Sequence, residues 1–135
     1  MSDARHALTQ AVYQALMADA GLTAILADGR VYDHAPRGAA YPFISFGEGR
    51  STDLDADAVP TTEHRFEVVV HSRAPGRREA SDIAARVTAV LTGGGLTLPE
   101  GRLVGLRQRD TILAEGRDQQ AYRARLRFTA LTETD

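Results

Sequence analysis

The sequence has no cysteine, and this absence excludes several kinds of site. There is no disulfide framework, no thiolate nucleophile and no cysteine-ligated metal centre. A chain of 135 residues buries roughly 65–70% of its unfolded surface, so its core needs no covalent cross-link. The length and the 43% hydrophobic content predict one globular domain over residues 1–135.

Lysine is also absent, so all 16 basic residues are arginine. A phosphate-binding loop of the Walker type requires a lysine and is therefore excluded. Gly93-Gly94-Gly95 follows a helical segment instead of opening one, which indicates a chain-reversing turn. The formal net charge of −2 argues against a dedicated nucleic-acid-binding protein, which is usually basic.

Long apolar runs are missing as well. No stretch approaches the ~20 apolar residues that a membrane-spanning helix needs. The first residues, Met1–His6, show no basic segment followed by an apolar one, so they do not resemble a secretory signal. We therefore expect a protein that acts in the cytoplasm and has no membrane partner.

Apolar residues recur at helical spacing in two segments, and each predicts a main helix. The first begins at Ser2 or Asp3 and runs to about Asp19, with a short helical turn after it at Leu22–Leu26. The second follows Pro75-Gly76 and ends at Gly93. Within it, the spacing of Asp82 and Arg86 predicts an ion pair.

Alternating segments predict the strands. Their ranges are Arg30–Asp33, Phe43–Phe46, Thr61–Ser72, Leu103–Thr111 and Tyr122–Ala130. Because these segments do not alternate regularly with helices, we predict an α+β fold. It has a mostly antiparallel sheet of four to five strands, with the two main helices packed on one face.

The alternation also predicts which side chains point to the core. On the last strand Leu126 and Phe128 face inward, and on the third Val68 does. On the fourth strand we expect Val104 and Leu106 to face inward.

Between the second and third strands the sequence becomes polar and acidic. This segment, about 47–60, is predicted to be an exposed hairpin loop and the least ordered part of the chain. It carries Glu48, Asp53, Asp55 and Asp57, without the spacing of a calcium-binding EF-hand. Two interpretations stay open: a solvated acidic loop, or a charged loop that binds a partner or faces a channel.

No catalytic or metal-binding pattern is recognisable. His64 and His71 are an odd number of positions apart on one strand, so they point to opposite faces and do not converge on a metal. No serine lies in a Gly-x-Ser-x-Gly motif. We therefore expect no catalytic residue, no metal and no cofactor, and a protein that is not an enzyme.

Arginines form the one unusual pattern. Three of them, Arg123, Arg125 and Arg127, alternate along the outward side of the last strand, and two more, Arg107 and Arg109, occupy the outward side of its predicted neighbour. Glu63 and Glu67 are carboxylates that can separate some of these charges.

Three interpretations of this arginine cluster remain open. It is a solvated sheet face with cross-strand ion pairs, a subunit interface, or a direct nucleic-acid contact. In the second interpretation the arginines meet the carboxylates of a neighbouring copy, with Glu48, Asp53, Asp55 and Asp57 as candidates.

Several short motifs, in their order and spacing, resemble the tail-completion or tail-terminator family of long-tailed phages and gene transfer agents. The resemblance extends from about Ala7 to Thr132. The motifs are Arg30-Val31-Tyr32-Asp33, Pro36, Tyr41-Pro42-Phe43-Ile44, Gly47-Glu48, Glu63-His64, Val70-His71-Ser72-Arg73, Glu79-Ala80-Ser81-Asp82-Ile83-Ala84, Leu103-Val104, Leu106-Arg107 and Arg127-Phe128.

This resemblance implies a non-enzymatic subunit with an α+β fold that forms a hexameric ring. Such a ring closes the tail tube and joins it to a neck stopper or connector protein, and DNA only passes through its lumen. The protein would assemble in the cytoplasm and then remain in the particle. Two alternatives are a neck stopper or adaptor protein of the same particle, and a small nucleic-acid-binding module that uses the arginine face.

Overall fold

The computed structural model describes residues 4–27, 29–54, 59–94, 96–116 and 121–133. Two helices open the chain, a third separates the strands, and two long strands close it. In chain order the elements are α1 (Ala4–Ala18), α2 (Ala20–Ile25), β1 (Val31–Tyr32), β2 (Phe43–Phe46), β3 (Arg50–Leu54), β4 (Thr61–Ser72), α3 (Arg78–Thr92), β5 (Arg102–Glu115) and β6 (Tyr122–Glu133).

The strands form one mixed sheet in the order β1-β2-β4-β6-β5, and β3 pairs with the N-terminal part of β4. Only β1 and β2 run parallel, whereas the other pairs are antiparallel. The predicted α+β class with a mostly antiparallel sheet is confirmed. The sheet has six strands among the described residues, not four to five, because β3 was missed.

The core lies between the sheet and the three helices. On β4 and β6, Val68, Leu126 and Phe128 are fully buried, and the same apolar cluster includes Ile83 and Val87 of α3. Alternation on strands and the 3.6-residue period on helices bring these faces together. The predicted inward orientation of Phe128 and Val68 is confirmed.

Two β-bulges interrupt the alternation of β5. One extra residue, Val104, lies between Leu103 and Gly105, and a second, Arg109, lies between Gln108 and Asp110. The prediction that Val104 points inward is wrong, because the side chain is 42% exposed at the first bulge.

The predicted ion pair within α3 is also wrong. Asp19 caps α2 by accepting a hydrogen bond from the backbone N–H of Leu22 at 2.9 Å. Its carboxylate accepts two more from Arg86, at 2.7 and 2.6 Å, and these bonds hold the pKa of Asp19 below its usual range. Asp82 instead lies 3.8 Å from Arg78. Arg86 therefore pairs with Asp19, which is held in place by its capping hydrogen bond, and not with Asp82 on its own helix.

The predicted acidic loop is shorter than expected. Arg50–Leu54 forms β3, which pairs in register with the first residues of β4. Both strands of the hairpin are polar, and β3 is exposed along its whole length, so no apolar alternation marked it. Asp55 and Asp57 lie outside the described residues.

Candidate interface on the outer sheet face

The helices cover one face of the sheet, and we call the opposite one the outer face. Arginines dominate it because they alternate on β6 with the core residues Ala124, Leu126 and Phe128. Eight arginines lie on this face: Arg50, Arg65, Arg102, Arg107, Arg109, Arg123, Arg125 and Arg127.

Two of the predicted arginines are held by carboxylates of the same chain. Arg125 donates from Nε and Nη2 to Oε2 of Glu67, at 3.0 and 2.7 Å. Arg127 donates from Nε to Oδ1 of Asp110 at 2.7 Å and from Nη2 to Oδ2. The guanidinium of Arg127 holds the pKa of Asp110 below its usual range.

The strand register explains these partners. Glu67 is directly opposite Arg127 on β6 but bonds the diagonal neighbour Arg125. Arg127 turns the other way, toward Asp110, which is its direct partner on β5. Asp110 reaches the outer face only because the bulge at Arg109 shifts the alternation by one residue. Alternation alone therefore missed Asp110, although an aspartate among several arginines is a candidate for an ion pair.

Gly47 makes room for the Glu67 carboxylate. A Cβ built on Gly47 would clash with Oε1 of Glu67, far inside van der Waals contact. The backbone N–H of Gly47 also donates to the carbonyl of Glu67 at 2.9 Å. Glu67 is only 8% exposed, so its carboxylate cannot move away without losing Arg125.

The other predicted arginines are exposed. Among the described residues, Arg107, Arg109 and Arg123 form no ion pair with a carboxylate, nor does Arg50. Arg102 and Arg65 are partly satisfied by Glu133 at 3.2 Å and Glu63 at 3.5 Å. The outer face thus combines internally neutralised charges with exposed arginines that have no carboxylate partner among the described residues.

A cavity of about 190 Å³ opens on the outer face where the turn before β3 meets β4, β5 and β6. Of the predicted site residues, it brings together Arg109, Arg125, Arg127 and Glu48. Its lining comprises Glu48, Gly49, Arg50, Arg65, Phe66, Glu67, Arg109, Arg125 and Arg127.

Asp53 lies away from this cavity. Its Oδ1 accepts a hydrogen bond from the Thr62 hydroxyl at 3.2 Å within the hairpin. Asp53 therefore belongs to the hairpin within one subunit, and its role toward a partner remains a prediction.

At the β1–β2 end the outer face is aromatic. The ring of Phe43 stacks on His71 with centroids 4.3 Å apart, and the His71 Nε2 lies 2.9 Å from the Ser45 hydroxyl. Burial, aided by the charge of Arg123, lowers the pKa of His71 to about 4. The imidazole is therefore neutral near pH 7.

His64 points to the opposite face, as predicted. Its ring nitrogens lie 2.7 Å from the Ser51 hydroxyl and 3.0 Å from that of Thr132, and the side chain is buried. Within the described part of the chain, no group of three or more His, Asp or Glu side chains is arranged to hold a metal. No described helix is long and apolar enough to cross a membrane.

The comparisons with known proteins agree with this architecture. The sequence profile of the family described as tail completion protein gp17 matches residues 10–133. The chain belongs to this family. The resemblance inferred from the motifs is thereby confirmed, and the family is one of structural phage proteins.

Two solved structures resemble this tail completion protein in fold. A chain in the virion of a native gene transfer agent particle is 33% identical, with a TM-score of 0.88 over 98% of this chain and 99% of that one. The bacteriophage SPP1 gp17 protein shares the fold, with a TM-score of 0.63 and 21% identity over 94% and 89% of the two chains. No curated protein sequence matches significantly.

Proposed function

We propose that this tail completion protein is a tail terminator: six copies form a ring that caps the finished tail tube and joins it to the neck of the particle. Its partners are then a second copy, the tail-tube protein and a neck stopper or connector. DNA only passes through the lumen. The protein is assembled in the cytoplasm and afterwards stays in the particle.

One observation carries this proposal: the outer face presents exposed arginines for which the described part of the chain supplies no carboxylate. Arginine suits an interface, because its planar guanidinium binds a carboxylate through two bonds and is weakly hydrated. A surface ion pair within one subunit contributes only about 0–1 kcal/mol. The same groups contribute more where a neighbour excludes water from them.

The outer face carries an excess of positive charge. Among the described residues it holds eight arginines and five carboxylate residues, whereas the other described residues include seven of each. A basic face that meets exposed carboxylates of the next copy gives a head-to-tail contact. Such contacts close into a ring when the rotation per subunit allows it.

Imaging of particles carrying the Arg107→Glu/Arg123→Glu variant tests the proposal. Both side chains are exposed, so the subunit folds, but we expect incomplete tails and few tail-joined heads. Arg78→Glu is the control, because that residue lies on α3, away from the outer face. A normal particle yield from the double variant, or a neck with a single copy of the chain, would contradict the ring.

A further inference from the structure

The cavity on the outer face has the composition of a binding site for one anionic group. We propose that it binds the carboxylate of a single aspartate or glutamate side chain from the neighbouring copy. The inference rests on the proposed ring, because it names the group that one subunit inserts into the next.

Two internal ion pairs form fixed walls of this cavity. The Glu67–Arg125 pair is held by two hydrogen bonds to one carboxylate oxygen, and Glu67 is buried. Arg127 is anchored by Asp110 from the other side. Because these guanidinium groups are already bonded, the cavity keeps its shape without a ligand, and little order has to be gained on binding.

Two further arginines supply the donors. Arg109 enters from β5 as the extra residue of its bulge, and Arg50 enters from the start of β3. Both are exposed, and neither has a carboxylate partner among the described residues. Five arginines against two glutamates line the cavity. One more carboxylate would bring the lining closer to neutrality, and Arg50 and Arg109 have donors to spare for it.

The dimensions favour a protein carboxylate over the phosphates of a nucleic acid. A cavity of about 190 Å³ holds the end of one side chain, whereas a nucleic acid presents a continuous row of charges that needs a broad basic surface.

A second copy can supply this carboxylate. Away from the outer face, the described residues include the exposed side chains of Asp33, Asp53 and Asp82. Their carboxylates are accessible to the cavity of a neighbouring copy.

Fluorescence anisotropy with the full-length chain tests the cavity. The labelled peptide alternates four glutamates with glycine, and the comparison ligands are the same peptide with glutamine and a short oligothymidine of equal charge. We expect only the glutamate peptide to bind well. Arg50→Gln/Arg109→Gln should weaken its binding about tenfold or more.

The matched control is Arg107→Gln/Arg123→Gln. It also removes two exposed, unpaired arginines from the outer face but leaves the cavity lining intact. We expect it to change affinity less than about threefold. Equal weakening by both double variants, or equal binding of the glutamine peptide, would show diffuse charge attraction and overturn the site. Tighter binding of the oligothymidine would assign the cavity to phosphate instead.

Sedimentation velocity at low salt tests the second copy as the occupant. The wild-type chain should self-associate. This self-association should be weaker for Arg50→Gln/Arg109→Gln, and weaker for the wild type when the glutamate peptide is added. A chain that stays monomeric, or that associates equally well with both cavity arginines replaced, overturns this part. Particle imaging separates the two proposals: cavity-specific peptide binding without a ring in the neck would reject the ring and keep the site.

Discussion

The two faces of β6 differ in burial and in charge. Leu126 and Phe128 on the inner face are fully buried under the helices. Arg123 on the outer face is exposed, and its neighbours Arg125 and Arg127 are about one third exposed. One alternating sequence thus supplies both a core and a charged surface.

The outer face itself is divided. Arg125 and Arg127 bond carboxylates of their own subunit, whereas Arg107 and Arg123 have no ion-pair partner in the described ranges. The same residue type therefore maintains the fold at two positions and is available to a partner at others. Variants at each position separate stability from assembly.

The largest effect is expected on the inner face. Phe128→Ala should lower the free energy of unfolding by about 3–5 kcal/mol, because it leaves a cavity between β6 and α3. Urea denaturation followed by circular dichroism measures this loss. A variant as stable as the wild type would contradict the packing of Phe128 against Phe66 and the core.

A smaller loss is expected from Arg125→Ala. It leaves the buried Glu67 carboxylate without its guanidinium, at a cost of about 1–3 kcal/mol. Gly47→Ala should have a similar effect, because its methyl group displaces the same carboxylate. The control is Glu67→Met/Arg125→Met, which removes both charges and should recover much of the stability. If the double variant is no more stable than Arg125→Ala, then the unpaired carboxylate is not the cause.

Acid should weaken the fold in a defined range. The pKa of His71 is about 4 in the folded chain against 6.5 in the unfolded one, so the unfolded state binds more protons between these values and stability falls as the pH drops from about 6.5 to about 4. The lowered pKa values of Asp19 and Asp110 extend the loss below that range. His71→Gln should flatten the upper part of the profile relative to the wild type. Chemical denaturation at a series of pH values compares the two slopes.

The smallest effect on stability is expected at Arg107. Arg107→Gln should change the free energy of unfolding by less than about 0.5 kcal/mol, because the side chain is exposed and unpaired. Thermal melting checks this value. A loss as large as that of Arg125→Ala would mean that Arg107 maintains the fold, and the contrast within the outer face would disappear.

Regular periodicity made much of the fold predictable. The alternation of β6 correctly placed Phe128 inside and the arginines outside, and the apolar stripe of α3 ended near the glycines, as expected. The strand β3 was missed because both of its faces are polar, so no burial pattern distinguishes it from a loop. Val104 was misplaced because a bulge changes the alternation without a mark in the sequence.

The candidate site was less predictable than the fold. The arginines were recognised from their spacing, but their actual partners are set by register and by diagonal contacts, as for Glu67 with Arg125. Asp110 lies next to Arg109 in sequence, so simple alternation would place them on opposite faces. Only the bulge turns both toward the same one.

The bulge at Arg109 also has an evolutionary consequence. Deleting this one codon would place Asp110 directly after Gln108 and restore strict alternation, with Asp110 still opposite Arg127. The pairing on either side of the bulge would be kept, while the cavity would lose one of its arginines. A single insertion or deletion at this position is therefore a short genetic route by which related subunits gain or lose a charge in the cavity while the sheet stays intact.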